Sequence, residues 1–392
     1  MQSIQSESLS NASDLKIVTS IHFNDWLNEQ YLSLAFTTYQ AGKFFLIGLQ
    51  PNGRLSVFER TFDRCMGLWV QQSTPRLEMA KKRKKPAYHK GTCPRMGARE
   101  CPPRQPPPVS RSSLYLSSLY QIWGFENALE PGQTYDGYDC LYIPQASYVT
   151  GDLDIHDLVV ERSRKLVFAN TLFNCLGTVS NTHSFAPLWQ PPFISQLIAE
   201  DRCHLNGIAL QNGQVRFVTT IGQTDLANDW RSQRRDGGCV IDVKTNQVIV
   251  TGLSMPHSPR WYQNRLWLLN SGTGEFGYVD GQKGTFEPVV FCPGYLRGCA
   301  FYENYAIVGV SRSRNKTFSG LLLDEKLKQT TTESFCGLLV IDLLAGKIVH
   351  WLKLEGIVSE LYDVSVLLKI RRPMAIGLKS DEIKRLITVD KL

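Results

Sequence analysis

The feature that most constrains this chain is a short motif that returns six times, an apolar run led in by a glycine or a polar residue. It reads CMGLWV at 65–70, DIHDLVV at 154–160, CHLNGIA at 203–209, MPHSPRW at 255–261, LRGCAF at 296–301 and LYDVSV at 361–366. Each occurrence is followed by further short runs rich in Val, Ile, Leu, Phe, Tyr and Trp, broken by Gly, Asn, Asp and Pro, the alternation expected of strands and turns. After CHLNGIAL come the turn QNGQ, then VRFVTTIG, GGCVIDV, the turn KTNQ and VIVTGL, and the other motifs open the same order of four. Four strands joined by tight turns make one blade of a β-propeller. Asn212-Gly213 and Ala345-Gly346 stand where hairpins need positive φ or a sharp reversal.

With Gly67, Asp157, Gly207, Ser258, Gly298 and Asp363 as equivalent anchors, the repeat is roughly 40–50 residues once two insertions are set aside. The pattern predicts an all-β fold, a six-bladed β-propeller. Little chain follows the sixth anchor, only LYDVSVLL and PMAIGLKS, whereas GKFFLIGL and RLSVFERTF precede the first. A last blade built from strands of both termini would close the ring and remove exposed sheet edges.

Residues 31–392 are therefore read as a single propeller and 1–30 as an N-terminal extension. Within the extension, IHFNDWLNEQ predicts a helix with Asn24 or Asp25 as its cap. Residues 71–113 depart from everything around them, being rich in proline and carrying KKRKK at 81–85. They read as a disordered insertion in one hairpin, tolerated because doubling a surface loop costs only about 0.6 kcal/mol. This segment holds five Lys and six Arg against two Glu, more charge than the whole chain's +7, so the remainder is close to neutral. The balance argues against a nucleic-acid partner for the folded body.

The ten cysteines form no CxxC pair and stand mostly among apolar neighbours, as in GCVIDV, which reads as buried thiols in a reducing compartment. The N-terminus lacks the basic and apolar regions of a secretory signal, and no stretch reaches the roughly 18 apolar residues a membrane helix needs. The expected location is cytoplasmic, with no membrane span.

In a propeller the first strand of each blade lines the central channel, so the residues leading into the six anchors should crowd around one mouth. The polar groups there are His156, Asp157, His204, Asn206, His257, Ser258, Arg297, Glu360 and Asp363, with Asp152 and Asp154 nearby. The expected ligand-binding set is His156, Asp157, His204, Asn206, His257, Arg297 and Asp363. Three imidazoles, those of His156, His204 and His257, can coordinate Zn²⁺ or another first-row cation and leave a position open for an activated water, so the expected cofactor, if one is bound, is a divalent metal, Zn²⁺ or Ca²⁺. Asp157, Glu360 or Asp363 would then move a proton, and Arg297 would grip a carboxylate or phosphate. A purely structural role is open as well, with the histidines capping backbone and the aspartates binding turn amides.

Three functions follow: a binding module holding a small polar ligand or a partner's side chains at the mouth, a metal-dependent hydrolase or lyase at the same place, or a protein-interaction scaffold with an inert channel. Several catalytic signatures are missing. NSGTGEFG at 270–277 opens no helix and so fails as a phosphate loop, and GxSxG and HExxH do not occur. Residues 311–335, with Arg312, Arg314 and Lys316, read as a lid over the mouth or a mobile loop. Trp69, Trp123, Trp261 and Trp267 read as packing between blades.

TTYQAGKFFLIG, GDLDIHDL, CHLNGIAL, GLSMPHSPRW, LWLLNSGTGE, CPGYLRG, ELYDV and RRPMAIGLKSDEI resemble a bacterial family of conserved hypothetical proteins, found alone or fused to tetratricopeptide repeats. The resemblance covers about residues 30–390, with 71–113 as the departure, and implies the fold without a reaction. More distantly, LNGIAL is similar to a PNG-L-A signature of gluconolactonase-like and strictosidine-synthase-like six-bladed propellers. That likeness implies a divalent-cation ligand at Asn206 and, more loosely, at Asp363. The Glu ligand of those lactonases has no counterpart here.

Overall fold

The computed structural model describes residues 15–72, 112–312 and 320–389. Most of the 71–113 insertion, with Cys93 and Cys101, therefore lies outside the described residues, as do Arg314 and Lys316. The strands fall into six antiparallel sheets, and the first strand of each sheet lies beside the first strands of two others, closing a ring. From inside to outside, blade 1 is Leu68–Gln72, Ser112–Ser117, Gln121–Asn127 and Cys140–Val149. Blade 2 is Ile155–Val160, Leu166–Asn170, Cys175–Thr178 and Ala186–Trp189, and blade 3 is Leu205–Gln211, Gln214–Thr220, Gly238–Asp242 and Gln247–Leu253. Blade 4 is Pro256–Tyr262, Arg265–Asn270, Glu275–Asp280 and Thr285–Phe291, and blade 5 is Tyr295–Tyr302, Tyr305–Ser311, Cys336–Asp342 and Lys347–Glu355. Blade 6 joins the termini: Val364–Leu368 inside, then Leu32–Thr37, Lys43–Leu49 and Leu55–Thr61.

The six-bladed ring and its closure by both termini agree with the repeat, with one difference in detail. The second strand of the closing blade is LSLAFT, paired Leu34 opposite Val366, while Pro373–Ala375 runs parallel along the outer edge of blade 1. Lys16–Thr19 covers the outer edge of blade 5, antiparallel to Lys347–Glu355. Both edges that a propeller leaves open beside its closing blade are thus paired, which removes a template for aggregation. The strands flanking the insertion pair directly, Gln72 opposite Ser112.

Inner and second strands are sandwiched between neighbouring blades, so they read as continuous apolar runs; every residue of Leu166–Asn170 and of Leu32–Thr37 is buried. Outer strands meet solvent on one side, and Cys140–Val149 alternates along its second half. An apolar cluster fills each junction: Val159, Ala169, Ile208 and Val218 between blades 2 and 3, for example, and Ala35, Leu46, Leu114 and Phe125 between blades 6 and 1.

Helix α1, Phe23–Gln30, plugs the junction between blades 5 and 6 with Phe23, Trp26 and Leu27. Its cap position is His22, in the left-handed region, whose Nδ1 lies 2.8 Å from Asp25 Oδ2. Asn24 and Asp25 sit inside the first turn instead of capping it, and the Asn24 amide donates to the Gly53 carbonyl. Helix α2, Leu322–Thr330, occupies part of the 311–335 connection. Leu321 and Leu323 seat its start in a cluster with Ile221, Trp230, Met255 and Tyr295, so this part of the proposed lid is an anchored helix.

Side-chain hydrogen bonds repeat around the ring with the blades. At every junction one polar side chain donates to a carbonyl in or just before the next blade's inner strand: Ser117 to Ile155, Thr171 to Leu205, Asn206 to Pro256, Ser271 to Leu296, Ser311 to Leu361 and Thr37 to Met66. Five of the six donors are hydroxyls that end a second strand or directly follow it, at 2.6 to 3.2 Å from their acceptors. They supply hydrogen-bond partners to buried carbonyls at the entry to each inner strand.

Candidate functional site

The anchors alternate around the ring. Gly67, Gly207 and Gly298 belong to odd blades, and Asp157, Ser258 and Asp363 to even ones. Each even anchor accepts an amide of the following odd blade. Asp157 Oδ2 takes the Ile208 N–H at 3.0 Å, Ser258 Oγ takes Gly298 at 2.9 Å and Asp363 Oδ2 takes Leu68 at 3.0 Å. The glycines permit the tight approach that follows. A Cβ on Gly298, which has φ 79°, would stand 2.7 Å from the Asp363 Cα, and one on Gly207 would stand 2.3 Å from the Pro259 ring.

This alternation divides the expected site residues into two groups. Asp157 and Asp363 are engaged inside the channel by Arg260, which lies 2.8 Å from Asp157 Oδ2 and 3.5 Å from Asp363 Oδ1 and also donates to the Ile208 carbonyl at 3.0 Å. Burial disfavours the guanidinium's charge, but the two carboxylates outweigh it and raise the Arg260 pKa. Burial pushes the Asp363 carboxyl well up, against the pull of Arg260 and with the help of the Asp157 charge. Asn206 is likewise consumed: its amide donates to Pro256 O at 3.0 Å and its carbonyl accepts the Thr219 hydroxyl at 2.7 Å. These three residues bind blade to blade.

His156, His257, Arg297 and Tyr362, each one step before its anchor, face the mouth together with His204, three steps before Gly207. His156 meets His204 edge-to-face at 4.6 Å between ring centroids and Tyr362 at 5.7 Å; His204 stacks on Trp230 at 4.1 Å, and His257 meets Tyr295 at 5.8 Å. The Arg297 guanidinium lies 4.9 Å from the Tyr362 ring centre and 5.3 Å from that of Tyr295. His156, His204, His257 and Arg297 are thus brought together from four blades, with Tyr362 from a fifth.

Their protonation follows from their surroundings. His156 Nδ1 lies 2.9 Å from the Asp154 carbonyl, and His257 Nδ1 lies 2.9 Å from the Met255 carbonyl. A carbonyl only accepts, so both rings carry their proton on Nδ1 and turn an Nε2 lone pair the other way. Thr171 and Ser271, which bridge the blades, back these two rings at 2.8 and 3.3 Å. Burial lowers the His156 pKa to about 4, despite the Asp154 charge, and lowers that of His257 well below the usual value, aided by Arg297. Both rings are neutral near pH 7. Burial raises Asp154, but His156, His204, Arg64 and Arg297 together overcome it and hold the carboxyl below its usual range. His204 Nδ1 faces Asp201 Oδ2 at 2.9 Å, and the same oxygen accepts the Trp230 indole N–H at 2.8 Å.

Buried polar atoms without a partner at this mouth include His257 Nε2, Arg297 Nε and Tyr362 Oη, with Asp201 Oδ1 behind His204. Among the described residues no group of three or more His, Cys, Asp or Glu is arranged to hold a metal ion, so the geometry lends the His156, His204, His257 metal reading no support. The eight described cysteines are buried free thiols, and burial pushes Cys299, for instance, up to about 12, which removes thiolate chemistry. Sequence reasoning missed Tyr362, Asp201, Trp230 and Arg260. Tyr362 stands at the same step before its anchor as His156 and His257, a positional signal that was available; Asp201 and Trp230 have none.

A family model described as "Domain of unknown function (DUF4915)" matches residues 21–92 and 107–376, breaking inside the proline-rich segment. No curated protein matches the chain. Among solved structures, a chain of a nidogen/laminin complex is 10% identical, with a TM-score of 0.47 over 86% of this chain and 99% of that one. A catalytically inactive virginiamycin B lyase from Staphylococcus aureus with quinupristin is 10% identical, with a TM-score of 0.38 over 87% and 100%. A streptogramin B lyase is 13% identical, with a TM-score of 0.37 over 87% and 98%.

Proposed function

Because the chain belongs to the DUF4915 family, a domain of unknown function, its role has to be read from its own residues, and we propose that it is a binding module that holds a small polar ligand at the channel mouth. The ligand contacts would be His156, His204, His257 and Arg297, with Tyr362 added. Asp157, Asn206 and Asp363 would position these groups by fixing the blades. The observation that carries this reading is the set of three buried unpartnered atoms, His257 Nε2, Arg297 Nε and Tyr362 Oη, gathered at one place. Leaving such groups unpaired costs about 1–3 kcal/mol each, and a bound polar molecule relieves the cost.

One observation favours a second reading, a proton-transferring lyase or hydrolase at the same mouth. The Asp201 carboxylate holds His204 Nδ1, which leaves His204 Nε2 as an oriented base. No helix is long and apolar enough to cross a membrane among the described residues. The buried free thiols support a cytoplasmic location as part of this proposal, and the single propeller over 31–392 with a separate 71–113 insertion is its domain plan.

A thermal-unfolding screen against small metabolites of every charge class tests the binding module. Compounds that stabilise the wild type should lose their effect in the His156→Ala/His204→Ala/His257→Ala variant. Undiminished stabilisation of that variant by all of them overturns the mouth as the site. For the second reading, any such compound is incubated in D₂O. Exchange at a carbon position, lost in His204→Asn, supports catalysis, and its absence leaves binding alone.

A further inference from the structure

The two arginines of the channel are treated very differently. Arg260 is held by two carboxylates and two carbonyls. Arg297 is only 7% exposed, yet it has no ion pair or hydrogen bond among the described residues, and its Nε is among the unpartnered buried atoms. Its contacts are the rings of Tyr295 and Tyr362, which attract the cation's face and leave its N–H edge unused. Asp154, the carboxylate whose field reaches it, is already held by Arg64. A guanidinium taken out of water without an acceptor is costly, and an oxyanion is the group that satisfies its fork.

The rest of the mouth narrows the chemistry. The rings of His156, His204 and His257 all turn Nδ1 to protein acceptors, and the buried, neutral rings of His156 and His257 present Nε2 lone pairs. One fixed cation beside these acceptors suits a ligand with a single anionic group and O–H donors next to it. A second carboxylate would face lone pairs, so polyanions are disfavoured. We propose that the mouth binds a small hydroxylated acid, its anionic group on Arg297 and its hydroxyls on the histidine Nε2 atoms, with the Tyr362 hydroxyl beside them. This rests on the binding-module reading and specifies its ligand class.

Isothermal titration of the full chain with gluconate, glucose 6-phosphate, glucose and acetate tests it. Gluconate or glucose 6-phosphate should bind at least about tenfold more tightly than glucose or acetate. The tighter of the two acids tells a carboxylate from a phosphate. Arg297→Met should abolish the preference for acid over glucose. His257→Ala should weaken the hydroxylated acid toward acetate while keeping that preference, and near-UV circular dichroism checks that both variants are folded. Glucose binding as tightly as gluconate, with both lost in the triple histidine variant, overturns the acid inference and leaves the mouth as a site. Acid binding that survives both Arg297→Met and the triple variant overturns the acid inference and the mouth together. If neither acid binds, the inference fails, and the metabolite screen decides the mouth separately.

Discussion

Replacing Arg297 with Met should stabilise the unliganded protein, while the same change at Arg260 should destabilise it. Both side chains are largely buried, Arg260 14% exposed, so burial alone predicts equal outcomes. Partners decide the sign. Arg260→Met leaves Asp157 and Asp363 buried without their cation, and breaking such an arrangement from one side costs about 3–5 kcal/mol. At Arg297 nothing is orphaned. The lost contacts with Tyr295 and Tyr362 are worth about 0.5–2 kcal/mol, against a desolvation penalty of several kcal/mol that disappears. The expected net gain is about 1–3 kcal/mol. With an unfolding entropy of about 2.1 cal/mol/K per residue, that is a rise in Tm of roughly 1–4 °C. Urea unfolding in buffer free of phosphate and carboxylates is the assay, because an anion bound to the native state would add its own stabilisation. A fall of more than about 1 kcal/mol for Arg297→Met at unchanged m-value would refute the reasoning, since it would mean the guanidinium has a structural partner.

Other consequences are open to direct measurement. The His156 pKa of about 4 lies below the unfolded value near 6.5, so the unfolded chain takes up the proton first as pH falls. Its contribution is complete above pH 6.5 and is lost on the way down to pH 4, about 2 kcal/mol between pH 7 and pH 5; His156→Gln should flatten that slope in urea titrations. Gly298→Ala should cost about 3 kcal/mol or more by driving a Cβ against Asp363 at positive φ. Gly53→Ala, also at positive φ but with no atom within 4 Å, should cost only about 1–2 kcal/mol. Thr171→Val keeps the shape but strips the donor to Leu205 O and one acceptor of His156. It should cost about 1–3 kcal/mol by urea unfolding and shift the His156 titration seen by NMR.

Much of the architecture was legible because its signals are local. The six anchors, the hairpin turn at Asn212-Gly213, where both residues take positive φ, and the strands left over at the two ends all sit within a few residues of chain. The convergence of His156, His204, His257 and Arg297 was legible as soon as the repeat was read as a ring. What escaped was the division of labour between neighbours. His156 and Asp157 are adjacent, yet the first faces the mouth and the second ties blade 2 to blade 3 and Arg260. One position along a strand decides which way a side chain points, and the inner strands of blades 2 to 5 shift register beside their anchors. The hydroxyls that end the second strands were visible as Ser and Thr, but their acceptors belong to a different blade. Asp201 and Trp230 became part of the site only through packing on His204.

The amino-acid order by itself determined the number of blades, closure of the ring by both termini and the delivery of His156, His204, His257 and Arg297 to one end of it, because strand period, turn chemistry and repeat spacing are properties of contiguous residues. The tertiary structure alone decided which of those side chains are spent on holding blades together and which are left over. A polar group's fate in the interior is settled by whether a partner arrives within hydrogen-bond reach, and here that partner comes from a neighbouring blade or from one on the opposite side of the channel.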